Sequence, residues 1–190
     1  MSSPDHDHLS RHLLRELSSL NYRFIQLLIN TQNDPEYFGL TELLHQRLCQ
    51  LSESDQRRLA SCPYGLFELR LNEPATWENW LEEKPASADL PSSAQQFTLA
   101  VLMYTQQLSL ENNDLGRLLL GLVPRVAEQF RQASIGRLMD TAPLVSHNLR
   151  IRLIDDPNFW PDLVNYVRDG TQEQYVAAQT SALQILAAQL

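Results

Sequence analysis

Apolar side chains recur at helical spacing along most of the chain, and this pattern limits the fold more than any other feature. Leu20, Phe24, Leu27 and Leu28 share one face of a helix, because their separations follow the period of 3.6 residues per turn. No segment shows the convincing apolar–polar alternation of a half-buried strand. The sequence therefore predicts an all-α helical bundle of about eight to ten helices.

Capping residues mark several of the predicted helix boundaries. Ser52 precedes a short helix and has Asp55 three residues later, as in a capping box. Thr171 and Gln174 form a similar pair at the start of the last helix. Within the first helix, the Ser18-Ser19 pair is a candidate interruption. The helix pattern can thus be placed along the chain from local signals alone.

A segment rich in proline, alanine and serine divides the chain. Residues 84–93 lack helical periodicity and have the composition of a linker. We therefore predict an N-terminal helical half at residues 1–84, a linker at 85–93, and a C-terminal helical half at 94–190.

The two halves carry a similar series of residues. Each has an apolar triplet centred on arginine, then an acidic residue before proline, then tryptophan: Leu69-Arg70-Leu71, Glu73-Pro74 and Trp77 in the first half, and Ile151-Arg152-Leu153, Asp156-Pro157 and Trp160 in the second. We interpret this as a duplicated unit in which the arginine points outward and the tryptophan is buried, so that two copies pack together. Chance similarity between leucine- and arginine-rich helices is the alternative.

The charge balance disfavours polyanionic partners. The chain has 23 acidic and 15 basic residues, a net charge of −8 and an isoelectric point near 5.0. Such a chain repels nucleic acids and anionic membranes unless its cations gather on one face. Arg70, Arg150 and Arg152 are the best candidates for contact with an anion or an acidic partner.

Cysteine usage and the start of the chain indicate the compartment. Cys49 and Cys62 form neither a C-x-x-C motif nor a zinc-site spacing, and the first residues contain no apolar leader. We therefore expect two reduced thiols in a cytoplasmic protein. Lys84 is the only lysine, which suggests a GC-rich bacterial genome.

The residues that resemble catalytic or metal-binding groups have simpler interpretations. His8 and His12 would share a helix face, but we interpret them as part of a solvated polar tail. Asp155 and Asp156 precede Pro157, where acidic residues cap a helix. Nucleophile-elbow and phosphate-loop motifs are missing from the sequence. We therefore expect neither a cofactor nor a bound metal, and no enzymatic activity.

Two features indicate a protein partner. Trp80 has no tryptophan counterpart in the second half and is expected to be partly exposed, as tryptophans of partner surfaces are. In the last helix, apolar residues follow a seven-residue spacing with one more on the same side: Val176, Leu183, Leu190 and Leu186. Such a face packs on its own domain or on another chain, as in a homodimer.

The sequence therefore favours a non-enzymatic cytoplasmic interaction protein, such as an adaptor, regulator, chaperone or inhibitor, which binds through apolar helix faces. One alternative is an all-α ligand-binding protein or enzyme whose pocket lies between the halves, with Arg70 and Arg152 holding an anion. A DNA-binding regulator is the other.

Overall fold

A computed structural model describes residues 4–30, 35–82 and 92–188 of the 190-residue chain. These residues form ten α-helices and almost no strand, so the predicted all-α helical bundle is confirmed. Within these three stretches, no helix has both the length and the apolar character needed to cross a bilayer. The predicted linker at 85–93 lies almost wholly outside the described residues.

The elements follow one another with short connections. The helices are α1 (Pro4–Asn30), α2 (Glu42–Cys49), α3 (Glu53–Ala60), α4 (Pro74–Glu82), α5 (Ser93–Glu111), α6 (Asn113–Leu120), α7 (Pro124–Gln132), α8 (Ile135–Val145), α9 (Phe159–Arg168) and α10 (Gln172–Ala188). Single 3-10 turns span Pro35–Phe38 and Ser146–Asn148. Strands β1 (Phe67–Glu68) and β2 (Arg150–Ile151) pair antiparallel, with Phe67 opposite Ile151 and Glu68 opposite Arg150.

Both predicted capping pairs are confirmed. The Ser52 hydroxyl accepts from the Asp55 amide, and the Asp55 carboxylate accepts from the Ser52 amide. Thr171 and Gln174 exchange the same two hydrogen bonds at the start of α10. Each pair satisfies backbone N–H groups that have no partner within the helix, which explains why these helices begin where they do.

One hydrophobic core joins the two halves. Helix α1 packs on α2, α3 and α5, and α5 packs in turn on α6, α7 and α8. A cluster of phenylalanines lies where the halves meet, with ring centroids 5.3–6.2 Å apart: Phe24, Phe38, Phe67 and Phe97. Because Phe97 belongs to the second half and the others to the first, neither half completes this part of the core alone.

The two predicted repeat units have several matching features. Arg70 and Leu153 both have a positive φ, of 53° and 58°, although Leu153 stands one position after Arg152, the residue aligned with Arg70. The Trp77 indole N–H donates to the Arg70 carbonyl at 3.0 Å, and the Trp160 N–H donates to the Arg152 carbonyl at 2.7 Å. Across the halves, α3 packs on α9 and α4 packs on α8, while β1 pairs with β2. The two units therefore pack against each other in a reciprocal way.

The structure corrects two expectations. Arg152 does not point outward: only 7% of the residue is exposed, whereas the side chain of Arg70 is partly exposed, as expected. The Arg152 guanidinium donates to the Leu119 carbonyl near the C-terminal end of α6, where unpaired carbonyls and the helix dipole favour a cation. The first helix is also not interrupted at Ser18-Ser19, because α1 continues to Asn30.

Candidate functional site

A groove of about 460 Å³ lies between α1, α5 and the start of α8, and it is lined by apolar and polar residues in equal number. Its lining includes two side chains that are buried, Leu20 and Tyr104. Three large apolar side chains also line it but remain open to solvent: Met103, Leu110 and Ile135 are 46%, 63% and 59% exposed. We call this feature the α5 groove.

The position of the α5 groove follows from the composition of α5. Val101, Leu102 and Leu108 fill the core, yet Met103 and Leu110 extend the apolar surface to the outer side of the same helix. Their seven-residue spacing places them two turns apart on one face. The rest of the fold thus covers only part of the apolar surface of α5. An apolar helix surface that stays exposed is typical of a helix that contacts a partner.

Acidic side chains border the α5 groove. Glu16 of α1 and Glu111 of α5 line it, together with Arg23. Burial raises the pKa of Tyr104, and the nearby carboxylates of Glu16 and Glu111 raise it further. The phenol is therefore neutral, and it donates to the Leu13 carbonyl at 2.8 Å. The groove offers apolar walls and a net negative rim.

A second cavity, of about 640 Å³, lies where the ends of α6 and α10 meet the segments that follow β1 and β2. Arg152 lines it, and we call it the Arg152 cleft. Three acidic residues, Glu68, Asp155 and Asp156, line the same cleft, together with apolar side chains such as Leu120 and Ile185. Its volume is within the range of pockets that hold small organic ligands.

Arg152 is a buried cation without an ion-pair partner among the described side chains. Its Nη1 donates to the Leu119 carbonyl at 2.5 Å, and no described carboxylate lies within 4.0 Å of the guanidinium. Burial lowers the pKa of Arg152 to about 10, although the charge of Glu68 acts in the opposite direction. Arg152 therefore stays protonated at neutral pH.

The chain was compared with known proteins at the level of families, curated sequences and solved structures. No family model, curated protein or solved structure matches it. The α5 groove and the Arg152 cleft are therefore the features from which we infer a function.

The structure does not bring the three candidate arginines together. Arg70 does not line the Arg152 cleft, and its guanidinium lies 3.7 Å from the carboxylate of Glu73. Arg150 is half-buried in β2, opposite Glu68. Five arginines of the described stretches lie within 4.0 Å of a carboxylate: Arg57, Arg70, Arg125, Arg131 and Arg168. These five ion pairs lie at the surface, and they involve five of the fourteen arginines.

Trp80 is the most exposed of the three tryptophans, as its lack of a counterpart predicts. It is half-buried, whereas Trp77 and Trp160 are buried. Its ring packs edge-on against Trp77, with the centroids 5.2 Å apart. The exposed part of Trp80 remains a candidate contact for a partner.

The apolar residues of α10 do not form one exposed face. Leu186 is buried within its own chain, as are Tyr175 and Ala182. Val176 is exposed and Leu183 is half-buried, while Leu190 lies outside the described residues. Helix α10 therefore uses Leu186 for packing on its own fold and leaves Val176 open to solvent.

Of the acidic pair before α9, Asp156 caps the helix as predicted, whereas Asp155 makes no capping hydrogen bond among the described residues. The Asp156 carboxylate accepts from the amides of Asn158 and Phe159 at 3.0 and 3.2 Å. Where side chains are described, no group of three or more His, Cys, Asp or Glu residues is arranged to hold a metal ion. The side chains of His6 and His8 lie outside that part of the chain.

The two thiols have different surroundings. Cys49 is exposed, with its Sγ 3.6 Å from His45 Nε2. Cys62 is buried, with the Tyr175 hydroxyl and the Gln179 amide each 3.6 Å from its Sγ. Burial raises the pKa of Cys62, so this thiol is less ionised than a free one.

This difference predicts the reactivity of the native protein toward an aromatic disulfide reagent at pH 8. We expect one thiol per chain to react quickly and the second only on unfolding, because the reagent needs an accessible thiolate. The Cys49→Ser variant is expected to lose the fast phase and Cys62→Ser to keep it. Two fast thiols in the native wild-type chain would contradict the assignment.

Gly121 provides a stability prediction at the Arg152 cleft. It follows α6 with a φ of 70°, and a Cβ there would lie 3.0 Å from Nη2 of Arg152. We expect Gly121→Ala to lower the free energy of unfolding by about 1–2 kcal/mol, because the left-handed conformation strains a residue with a side chain. Denaturation in urea measures the change.

The matched control is Gly136→Ala in α8. The nearest atom to a Cβ at this position, Ser134 Oγ, is 3.9 Å away. Alanine favours helix over glycine by about 1 kcal/mol, so this variant is expected to be unchanged or more stable. Equal destabilisation by both substitutions would show that the backbone at Gly121 is not special.

The sequence did not single out the side chains that line the α5 groove. The useful signal was the seven-residue spacing of Met103 and Leu110 in a helix that is also apolar on its other faces. Ile135 gave no signal of its own, because it stands at the start of α8 and reaches the groove only through the packing of α8 on α5.

Proposed function

We propose that this chain is a non-enzymatic interaction protein of the cytoplasm, which binds an apolar helical segment of a partner protein in the α5 groove. One observation carries the proposal: Met103, Leu110 and Ile135 present large, exposed apolar side chains around a single concave surface. Exposed apolar side chains that are contiguous and concave are typical of binding surfaces, whereas scattered ones are not.

The spacing of the apolar side chains in the groove suits a helical ligand. An amphipathic helix binds in a groove through apolar residues at positions i, i+3 or i+4, and i+7. Met103 supplies a flexible side chain that adapts to different apolar partners. The two-turn separation of Met103 and Leu110 matches the length of such an anchor series.

The charged residues around the α5 groove favour one kind of partner segment. Glu16 and Glu111 border the groove and outnumber Arg23, and the whole chain carries a net charge of −8. A segment with lysine or arginine on either side of its apolar residues is therefore favoured. If a second copy of this chain bound through its own α5 groove, it would bring a second acidic rim to the interface, so we propose a different protein as the partner.

A selection experiment tests the proposal with a defined probe. A library of randomised peptides of about 16 residues, long enough for four helical turns, is selected for binding to the full chain. We expect the selected peptides to combine apolar residues at helical spacing with basic flanks. Selected peptides with acidic flanks would contradict the proposed charge preference.

Two leucines of equal exposure provide matched variants for the selected peptides. Leu110 in the α5 groove is 63% exposed, and Leu43 on α2 is 61% exposed and does not line the groove. Leu110→Glu is expected to weaken peptide binding at least about tenfold, and Leu43→Glu to leave it unchanged. Undiminished binding to the Leu110→Glu variant would overturn the proposal.

The local pairing of arginines favours this function over DNA binding. A DNA-binding surface needs cations free to contact phosphates. Five of the described arginines instead lie beside carboxylates of their own chain. The proposed partner is accordingly a protein segment and not a nucleic acid.

We further propose that the two halves derive from one duplicated unit. Two features support it: the indole-to-carbonyl bonds of Trp77 and Trp160 to the aligned residues Arg70 and Arg152, and the pairing of β1 with β2. A crystal structure tests this. Superposition of residues 52–82 on residues 134–168 should align helices and tryptophans in the same order and direction, and a different order would contradict duplication.

A further inference from the structure

The Arg152 cleft contains charges of both signs that do not contact each other. Glu68 lies near enough to Arg152 to affect its ionisation, yet more than 4.0 Å from it. The side-chain carboxylates of Glu68 and Asp155 line the cleft without a hydrogen bond to a described residue. Asp156 is different, because it caps α9. The cleft therefore has one cationic and two anionic groups available to a ligand.

The Arg152 guanidinium has more hydrogen-bond donors than the fold provides acceptors for. Arginine has five N–H donors, and the described residues provide one acceptor, the Leu119 carbonyl. A buried charge is costly unless it is paired and hydrogen-bonded. Gly121 leaves the space around Nη2 free of a side chain. Arg152 is thus placed to bind a carboxylate, for which its planar fork is well suited.

The remaining lining is mainly apolar. Leu71, Leu120 and Val123 line one part of the cleft, and Ile185 of α10 contributes a partly exposed side chain. Leu71 and Leu120 are already buried, so a ligand with an apolar body would cover mainly Val123 and Ile185. The volume of about 640 Å³ exceeds what a single charged group requires.

We propose that the Arg152 cleft binds a short apolar peptide with free termini, whose carboxylate contacts Arg152 and whose ammonium group contacts Glu68 and Asp155. A simple anion would meet the repulsion of the two carboxylates, and a simple cation would meet that of Arg152. A zwitterion matches both signs, and the termini of a dipeptide are far enough apart to reach groups that do not contact each other. This site is distinct from the α5 groove.

Isothermal titration calorimetry with the dipeptide Leu-Leu tests the proposal on the full chain. We expect a dissociation constant below about 1 mM. N-acetylation or C-amidation of the dipeptide should each weaken binding at least about tenfold, because each removes one charge. Free leucine is a separate probe, and tighter binding of leucine than of Leu-Leu would overturn the peptide assignment.

The variants address the carboxylates, because loss of the buried Arg152 side chain also threatens folding. Glu68→Gln and Asp155→Asn are expected to weaken Leu-Leu binding severalfold. They should strengthen the weak binding of the N-acetylated dipeptide, because this ligand is an anion that the lost carboxylate repelled. Asp140→Asn is the control, since Asp140 is also exposed but does not line the cleft.

Three results would overturn the proposal: no measurable binding at about 10 mM Leu-Leu, equal affinities for free and blocked dipeptides, or equal weakening by Asp140→Asn. The Leu110→Glu variant separates the two proposals. It should leave Leu-Leu binding intact, because Leu110 does not line the Arg152 cleft.

Discussion

Replacing Asn21 by leucine is expected to lower the free energy of unfolding by about 3–5 kcal/mol. Asn21 is buried on α1 and connects this helix to the segment that leads into β1. Its Nδ2 donates to the carbonyls of Ala60, Cys62 and Tyr64 at 3.3, 3.3 and 2.9 Å. Its Oδ1 accepts from the Leu66 amide at 2.9 Å.

The large effect follows from what leucine would leave behind. Leucine fills a similar volume but offers no hydrogen bond, so backbone groups of the 60–66 segment would be buried without partners. Each such group costs about 1–3 kcal/mol, and partial rearrangement of the segment keeps the sum below the full total. Denaturation in guanidinium chloride, monitored by circular dichroism, measures the change.

Asn30→Leu is the control on the same helix. Asn30 is exposed near the end of α1 and bonds only to the side chain of Gln26 among the described residues. Its replacement should change the free energy of unfolding by less than about 0.5 kcal/mol. If Asn21→Leu also changed the free energy of unfolding by less than about 0.5 kcal/mol, the hydrogen bonds of Asn21 to the 60–66 segment would not stabilise the fold as proposed.

Replacing Trp77 by alanine is expected to lower the free energy of unfolding by about 3–5 kcal/mol. Trp77 is fully buried, with its ring 5.2 Å from that of Trp80 and 5.0 Å from that of Phe130. Its N–H also fixes the Arg70 carbonyl, where the backbone has a positive φ. The substitution thus removes packing between the halves and a hydrogen bond that holds a strained turn.

Trp80→Ala is the control for Trp77→Ala, because it also removes a tryptophan ring but from a less buried position. Trp80 stands beside Trp77 but is half-buried. Because folding buries less of its apolar surface, we expect Trp80→Ala to lower the free energy of unfolding by about 1–2 kcal/mol. Thermal and chemical unfolding of both variants check the order. A larger loss for Trp80→Ala would contradict the central position of Trp77.

Local signals predicted the helices and several of their ends. The capping pairs at Ser52 and Thr171 act within one turn, so the sequence contains all the information needed to place them. The predicted break at Ser18-Ser19 failed for the opposite reason. Leu17 and Leu20, on either side of the serines, are buried in the core, and this packing maintains α1 through a weak stretch.

The strand pair and the burial of Arg152 required the three-dimensional fold. Two-residue strands have no periodicity to detect, and β1 and β2 lie in different halves of the chain. The surroundings of Arg152 depend on Leu119 and Gly121, which belong to another element. Neither neighbour can be inferred from the residues adjacent to Arg152 in the sequence.

The α5 groove could not be predicted from the sequence for a related reason. In a helix that is apolar on several faces, the sequence does not indicate which face the core will cover. The structure shows that the core takes Val101, Leu102 and Leu108 of α5 and leaves Met103 and Leu110 exposed. The regular spacing in α10 pointed to a different surface, but packing within the chain uses Leu186.

Photo-crosslinking in cells that naturally make the protein tests the proposed function most directly. A benzophenone amino acid replaces either Leu110 in the α5 groove or the equally exposed Leu43, and mass spectrometry identifies the crosslinked segment. We predict that Leu110 crosslinks to one apolar, basic-flanked segment of another protein and that Leu43 does not. The same products from both positions, or crosslinks only to a second copy of this chain, would contradict the account.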